Sequence, residues 1–219
     1  MSSPITIAVS KGRILEEAIP LFSKLGFHFK GLTQDSRRLI FDSDCGRVQI
    51  IIIRSADVIT YVDYGATALG IVGKDHLMEC DSNSLYEVLD LGIARCRLVV
   101  AGCRHDDSKS AHSSRFGNRR LIATKYVHIA RKHFAGKGEQ VEIVKLYGSM
   151  ELAPVVGLAH AIVDLVDSGR TLKDNGLVEY EEIAPITARL VANKALMKMR
   201  GDDINTLIDM FNQLQETPS

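Results

Sequence analysis

Short apolar runs rich in β-branched residues alternate along the chain with segments in which apolar residues recur at helical spacing. The first run, 5–9, has the composition of a buried strand. The helical positions that follow it are Ile14, Leu15, Ala18, Ile19, Phe22 and Leu25. Pro20 falls inside this helix and predicts a kink or a break. Strands alternating with helices in this way predict an α/β protein with largely parallel sheets.

Similar runs predict further elements as far as the last residues. Strands are predicted at 37–41, 48–53, 69–72, 86–91, 95–101, 119–124, 141–146 and 162–166, and helices at 58–64, 125–135, 194–200 and 202–214. The polar stretch 104–118 predicts an exposed connection. The stretch 178–193 contains several glutamates and predicts one long extended segment with a solvated face.

Composition limits the possible partners. The 219 residues suit one large domain or two small ones, and 27 basic side chains balance 27 acidic ones. This balance gives no general nucleic-acid surface. We find neither a signal peptide nor an apolar run long enough to cross a bilayer, so a cytoplasmic protein without a membrane partner is expected. The cysteines lack Cys-x-x-Cys spacing, which favours buried thiols, and Cys103 with His105 and Asp107 lacks a second ligand pair for a metal.

Basic residues follow three of the predicted strands directly. Lys11 and Arg13 come after the first strand, Arg54 after the strand 48–53, and Lys74 after the strand 69–72. Each taken alone is equally well explained as a solvated turn charge. Open α/β sheets, however, bind ligands at the carboxyl ends of their strands. Three basic strand ends that converge at one edge therefore predict a site for a polyanion.

The strand 162–166 runs through Asp164 into a loop, Asp167–Thr171, before a helical turn begins. Backbone N–H groups at a helix N-terminus attract anions, and Gly169 permits close approach of the backbone. Ser168 supplies a hydroxyl, and the two aspartates can accept hydrogen bonds from sugar hydroxyls. The alternative is an ordinary turn with a helix cap. The pattern alone predicts an α/β enzyme that handles a phosphorylated ligand.

Several blocks extend this pattern over nearly the whole chain. They are ITIAVSKGR at 5–13, RSADVITYVDYG at 54–65, LGIVGKD at 69–75, LDLG at 89–92 with CRL at 96–98, IATKY at 122–126, GSMELAP at 148–154 and the stretch 157–177. Together they resemble the short form of the ATP phosphoribosyltransferases. Enzymes of this family transfer the phosphoribosyl group of phosphoribosyl pyrophosphate to N1 of ATP and release pyrophosphate, the first step of histidine biosynthesis.

The resemblance implies a fold and an assembly. It implies two α/β domains around a cleft, similar to type II periplasmic binding proteins, with domain I formed by 1–90 plus 179–219 and domain II inserted as 91–178. Mg²⁺ is expected with the phosphate groups of the substrates. Short members lack a histidine-sensing domain, so a regulatory subunit similar to histidyl-tRNA synthetase and a hetero-octamer are also expected. The isolated chain should then be active and insensitive to histidine.

The resemblance also implies roles for individual residues. Arg54, with Lys11 and Arg13, is expected to stabilise pyrophosphate during catalysis. Phosphoribosyl pyrophosphate is expected to bind Glu151, Asp164, Asp167, Ser168, Gly169, Arg170 and Thr171. ATP is expected to contact Arg37, Arg38, Lys74, Lys125 and Tyr126. The resemblance assigns no protein side chain as a ligand of Mg²⁺.

Three positions depart from the family pattern. His160 replaces a usual aspartate, Val127 a frequent proline, and Ala68 a frequent aspartate. His160 lies just before the predicted ribose strand and leaves open a regulatory or inactive paralogue. A solute-binding module of the same fold is a further alternative, although such a module has no need of three basic strand ends. Pyrophosphate release in the presence of both substrates would distinguish these readings.

Overall fold

The computed structural model describes residues 3–33, 36–80, 84–104 and 119–216. The chain divides into two compact units. The first comprises the described residues of Met1–Leu77, Asp81–Ala94 and Thr187–Ser219, and the second those of Met78–Cys80 and Arg95–Ile186. Apart from Arg104 itself, the connection predicted at 104–118 lies outside the described residues.

Strands and helices alternate as the apolar pattern predicts. The strands are β1 (Ile5–Ser10), β2 (Ile40–Asp42), β3 (Val48–Ile53), β4 (Leu69–Gly73), β5 (Leu85–Asp90), β6 (Cys96–Cys103), β7 (Arg120–Thr124), β8 (Val141–Lys145), β9 (Ala161–Val166), β10 (Leu177–Ile186) and β11 (Ala188–Asn193). The helices are α1 (Arg13–Lys24), α2 (Ser55–Asp63), α3 (Lys74–Glu79), α4 (Val127–Gly136), α5 (Leu152–Val155), α6 (Arg170–Asp174), α7 (Lys194–Met199) and α8 (Gly201–Glu216).

The first unit is built on a sheet with the strand order β2-β3-β1-β4-β11-β5. Strand β1 lies between β3 and β4 and is parallel to both. The carboxyl ends of these three strands therefore lie along one edge of the sheet. Strands β2, β11 and β5 are antiparallel to their neighbours.

Helices cover both faces of this sheet because side chains alternate along each strand. On one face Ile7 of β1 joins a cluster with Phe22 of α1 and Phe211 of α8, whose rings meet edge to face at 5.7 Å. On the other face Ala8 packs with Val62 of α2. Helix α1 passes through Pro20 without a break, which corrects the break considered above. Buried residues before and after the proline hold the helix against the sheet.

The second unit is built on a sheet with the strand order β10-β6-β9-β7-β8. Strand β7 is parallel to β8 and to β9, whereas β6 is antiparallel to β9 and to β10. Helix α4 covers one face through Ile129 and Phe134, which cluster with Ile122. On the other face Leu172 of α6 clusters with Ile162.

Two sequence-based expectations need correction. The sheets are mixed rather than largely parallel, because the hairpin strand β2 and the returning strands pair antiparallel. The stretch 178–193 is not one segment but two strands in different sheets, β10 and β11. Apart from Met78–Cys80, the second compact unit runs from Arg95 to Ile186. The domain bounds implied by the resemblance, 90/91 and 178/179, stay a prediction. No helix among the described residues is long and apolar enough to cross a membrane.

Candidate functional site

A cavity of about 210 Å³ lies in the second unit where β9 passes into α6. It is lined by Val99, Glu151, Ile162, Asp164, Leu165, Val166, Asp167, Ser168, Gly169, Arg170, Thr171 and Leu172. All seven residues predicted to bind phosphoribosyl pyrophosphate are among them. The structure therefore brings Glu151, remote in sequence, to the same cavity as the loop after β9. Their roles as ligands of the substrate stay a prediction.

The local sequence explains the shape of this loop. Gly169 stands at the N-cap of α6 with φ 74, in the left-handed region where a side chain is strained. The Arg170 N–H lies 3.5 Å from Ser168 Oγ, and Asp164 Oδ1 accepts a hydrogen bond from its neighbour's N–H, that of Leu165, at 2.9 Å. Asp167, Ser168 and Arg170 are exposed at the mouth of the cavity.

The chemistry of this lining suits a phosphorylated sugar. The first N–H groups of a helix have no carbonyl partner within the helix and favour a negative charge. The Arg170 guanidinium adds a cation, and the hydroxyls of Ser168 and Thr171 can donate to phosphate oxygens. Carboxylates such as those of Asp164 and Asp167 accept hydrogen bonds from hydroxyl groups. The cavity thus combines hydrogen-bond donors for an anion with hydrogen-bond acceptors for sugar hydroxyl groups.

The predicted catalytic cations lie together at one edge of the first sheet. Lys11 follows β1 and Arg54 follows the adjacent parallel strand β3, and the Lys11 N–H donates to the carbonyl of Ile53 at 2.9 Å. Arg13 is the first residue of α1, two positions after Lys11. All three side chains are exposed. The sheet topology therefore gathers these cations, as the strand-end pattern predicts.

Two of the residues predicted to contact ATP begin the neighbouring hairpin. Strand β2 is antiparallel to β3, and the Ile52 N–H donates to the carbonyl of Leu39 at 2.8 Å. Arg37 and Arg38, which precede Leu39, therefore lie at the edge where β3 ends. The Arg38 guanidinium stacks 5.4 Å from the centroid of the Phe41 ring.

Lys74 lies at the same edge, but its charge is matched by acidic neighbours. Its Nζ donates to the carboxylate of Glu87, which also lies 3.4 Å from Arg189 Nη1. Arg189 Nη2 in turn lies 2.9 Å from Asp90. Lys74 thus belongs to a network of ion pairs within the first sheet. The strand-end pattern did not reveal this network because Glu87 and Arg189 come from other strands.

Lys125 and Tyr126 follow β7, which is parallel to β9. The Thr124 hydroxyl donates to the carbonyl of Val163 at 2.6 Å and accepts from the Tyr126 N–H at 2.9 Å. Tyr126 is only 1% exposed and belongs to the core under α4. Lys125 Nζ lies 4.7 Å from the centroid of the Tyr126 ring. Lys125 is therefore the more accessible of these two candidates.

His160 has a structural contact at the start of β9. Its Nδ1 accepts a hydrogen bond from the Leu121 N–H at 2.9 Å, and its own N–H donates to the Leu121 carbonyl at 2.9 Å. An aspartate at this position is also able to accept the Leu121 N–H. The imidazole therefore serves as the hydrogen-bond acceptor for a backbone N–H.

The sequence pattern missed a second cavity, of about 390 Å³, in the first unit. Residues at its walls include Arg47 before β3, Arg200 after α7 and Cys45. Hydrogen bonds with Ser43 and then with the backbone of Arg47 lower the pKa of Cys45 to about 7. Cys45 and Cys80 are exposed, which corrects the expectation of buried thiols.

Within residues 3–33, 36–80, 84–104 and 119–216, no group of three or more histidine, cysteine, aspartate or glutamate side chains is placed to hold a metal ion. His105 and Asp107, considered above with Cys103, lie outside the described residues.

Comparisons with known proteins bear on this geometry. The chain is 54% identical over 218 residues to an ATP phosphoribosyltransferase of Acidithiobacillus ferrooxidans, with 100% of both chains covered. It is 50% identical to an ATP phosphoribosyltransferase of Halorhodospira halophila, covering 95% of this chain and 94% of that one. Among solved structures, the ATP phosphoribosyl transferase (HisG:HisZ) complex from Thermotoga maritima matches with a TM-score of 0.79 at 27% identity, covering 97% of this chain and 98% of that one.

A more distant likeness concerns the fold alone. The periplasmic aliphatic sulphonate binding protein SsuA from Escherichia coli matches with a TM-score of 0.61 at 11% identity, covering 97% of this chain and 72% of that one. This likeness confirms the prediction of an α/β fold like that of periplasmic binding proteins. The family model of HisG, ATP phosphoribosyltransferase, matches residues 54–213. With the full-length relatives, this match shows that the chain belongs to the HisG family of ATP phosphoribosyltransferases.

Proposed function

We propose that this chain transfers the 5-phosphoribosyl group from phosphoribosyl pyrophosphate to N1 of ATP, giving phosphoribosyl-ATP and pyrophosphate in the first step of histidine biosynthesis. The observation that carries the proposal is the cavity after β9, which gathers all seven residues assigned to phosphoribosyl pyrophosphate. Relatives at 54% and 50% identity, both named ATP phosphoribosyltransferase, support the same activity.

The cavity is assigned to the ribose phosphate. The N–H groups at the start of α6, with Ser168 and Thr171, bind the 5′-phosphate, and Asp164 and Asp167 accept hydrogen bonds from the ribose hydroxyls. Glu151 lines the same pocket. These contacts fix the ring so that C1′ meets the nucleophile in one orientation. Such fixed orientation lowers the activation free energy of the transfer.

The cations at the edge of the first sheet are assigned to pyrophosphate. Adenine N1 forms the new bond to C1′ while the bond from C1′ to pyrophosphate breaks, so negative charge grows on the leaving group. Arg54, Lys11 and Arg13 stabilise that charge, and a guanidinium can bind two phosphate oxygens at once. No protein base is needed because N1 carries a lone pair. Arg37, Arg38, Lys74, Lys125 and Tyr126 remain the candidates for ATP.

Mg²⁺ fits the same arrangement when it enters with the substrates. It prefers phosphate and carboxylate oxygens and commonly binds proteins through only one or two carboxylates. Such a cation would supply charge neutralisation at the pyrophosphate oxygens. Glu151, Asp164 and Asp167 are the carboxylates that line the cavity and would be available to it.

An assay of pyrophosphate release tests the activity. The purified chain is mixed with ATP, Mg²⁺ and phosphoribosyl pyrophosphate, and release is followed with an enzyme-coupled detector. Release should require all three additions. Phosphoribosyl pyrophosphate carries the leaving group, N1 of ATP is the nucleophile, and Mg²⁺ is expected with the phosphate groups. A chain that binds the substrates without releasing pyrophosphate would instead favour a binding module or an inactive paralogue. Release without ATP would indicate hydrolysis and contradict the proposed transfer.

The working assembly is proposed to include a regulatory subunit similar to histidyl-tRNA synthetase, in a hetero-octamer in the cytoplasm. The structural match to a HisG:HisZ complex from Thermotoga maritima supports such a partner. The balanced charge of the chain gives no reason to expect nucleic acid, and no membrane partner is proposed. Histidine should inhibit a reconstituted complex but not the isolated chain. Strong inhibition of the isolated chain would contradict this division of roles.

A further inference from the structure

The two carboxylate oxygens of Glu17 bind two different groups. Glu17 lies one helical turn after Arg13 on α1, so the two side chains share one face of the helix. Oε1 accepts a hydrogen bond from Arg13 Nε at 2.7 Å, and Oε2 accepts one from the backbone N–H of Ala94 at 2.8 Å. The second bond joins residues 77 positions apart. Glu17 thus links a predicted catalytic cation to a distant part of the first unit.

This pair differs from an ordinary ion pair on a helix surface. Exposed pairs contribute little because two mobile side chains must be held in one geometry. Here the Ala94 N–H holds the carboxylate independently of Arg13. The same hydrogen bond is the largest cause lowering the pKa of Glu17, and contact with Arg13 lowers this pKa further. Glu17 is therefore an anchored anion at neutral pH.

The backbone at Ala94 shows why this anchor is specific. Ala94 has φ 52, in the left-handed region that non-glycine residues rarely adopt, and it is the last residue of the first unit before β6. Such a conformation persists only where surrounding contacts determine it. The hydrogen bond to Glu17 is one of these contacts. A single carboxylate thus contacts both this backbone segment and the Arg13 side chain.

We propose that Glu17 is a positioning residue for phosphoribosyl transfer, holding the Arg13 guanidinium in the orientation in which it meets the pyrophosphate group. The inference rests on the proposed function, which assigns Arg13 to pyrophosphate. A guanidinium binds phosphate oxygens through a planar fork, so the orientation of its plane determines how many bonds it makes. The bond from Nε to Glu17 fixes that plane before the substrate arrives, which reduces the entropy lost on binding.

A double-mutant cycle tests this role. Glu17→Gln removes the charge but keeps an oxygen that can accept the Ala94 N–H. Affinity for magnesium pyrophosphate is measured by calorimetry for the wild type, Glu17→Gln, Arg13→Gln and the double variant, with kcat and KM from pyrophosphate release. Glu17→Gln should weaken pyrophosphate binding by about 3- to 10-fold, as expected for directly coupled side chains, and should cause no further loss when Arg13 is already replaced.

Two further variants separate orientation from general effects. Glu139→Gln removes a carboxylate from the Arg120–Glu139 pair of the second unit, at 3.2 Å and with comparable exposure, and should leave pyrophosphate affinity unchanged. Arg13→Lys keeps the charge and leaves Glu17 and Ala94 in place, but it lacks the planar fork. It should lose affinity much as Glu17→Gln does. This variant tests the orientation argument even if Glu17→Gln does not fold.

The outcomes that overturn the proposal are distinct from those that overturn the function. If Glu17→Gln lowers pyrophosphate affinity equally in the wild type and in Arg13→Gln, Glu17 supports only the Ala94 backbone and does not position Arg13. Wild-type affinity in Arg13→Lys, or tighter pyrophosphate binding in Glu17→Gln, would refute the orientation argument. A wild-type chain without phosphoribosyl transfer would contradict the proposed function itself, whereas normal transfer with additive losses contradicts only the role of Glu17.

Discussion

Replacing Arg54 by alanine tests the proposed catalytic edge most directly. Arg54 is exposed, its backbone is the N-cap of α2, and its side chain makes no capping hydrogen bond. Truncation therefore leaves no cavity and removes no cap, so the free energy of unfolding should change by less than about 0.5 kcal/mol. The loss should appear in catalysis instead. Removing one stabiliser of transition-state charge lowers kcat by about 10- to 1000-fold, or about 1.4–4 kcal/mol.

Arg47→Ala is a control at the other end of β3. Arg47 precedes β3 and Arg54 follows it, so both variants lose one exposed positive charge, but at opposite ends of the strand. Long-range attraction of the anionic substrates falls similarly in both. Pyrophosphate release at saturating substrate and thermal unfolding are measured for each. Arg54→Ala should lose turnover with an unchanged melting temperature, whereas Arg47→Ala should retain its turnover. Unchanged turnover in Arg54→Ala, or equal losses in both variants, would refute the assignment.

Three further predictions concern other features. Gly169→Ala should weaken phosphoribosyl pyrophosphate binding measured by calorimetry, because φ 74 strains a side chain by about 1–2 kcal/mol; unchanged affinity would contradict the role of this turn. Thr124→Val should lower the free energy of unfolding by about 1–3 kcal/mol in denaturant titrations, because it leaves the buried Tyr126 N–H without its acceptor; full stability would contradict this. Cys45 should react with iodoacetamide faster as the pH rises through about 7, because the thiolate is the nucleophile, and Cys45→Ser should abolish this reaction; a midpoint near pH 9 would contradict it.

Local features of the candidate site were predictable because each depends on a short stretch of chain. The apolar strand β3 and the cation after it, Arg54, are adjacent in sequence, so no knowledge of strand pairing is needed to place them together. The loop 167–171 is similar, since Gly169 in a turn before a helix already indicates a left-handed backbone. The shared edge then follows from the parallel pairing of β1, β3 and β4.

Features that depend on distant pairing were not predictable from these patterns. The composition of 178–193 indicates extended backbone but not which sheet each part joins, because strand pairing is a long-range contact that composition does not specify. The contacts that hold the cations in place also depend on residues distant in the chain. Glu87, the partner of Lys74, lies 13 residues away, and the Ala94 N–H that anchors Glu17, the partner of Arg13, lies 77 residues from Glu17. The sequence therefore predicts where the cations lie but not which distant groups hold them in place.

His160 shows how a contact can decide the meaning of a departure from the family pattern. The residue raised the possibility of an inactive paralogue, because it stands just before the strand assigned to the ribose. Its Nδ1 accepts the Leu121 N–H, a task that an aspartate oxygen performs equally well. The exchange thus preserves the link between β7 and β9 while leaving Asp164 and the loop 167–171 at the cavity. A substitution that keeps the support of the site intact gives no reason to expect loss of its chemistry.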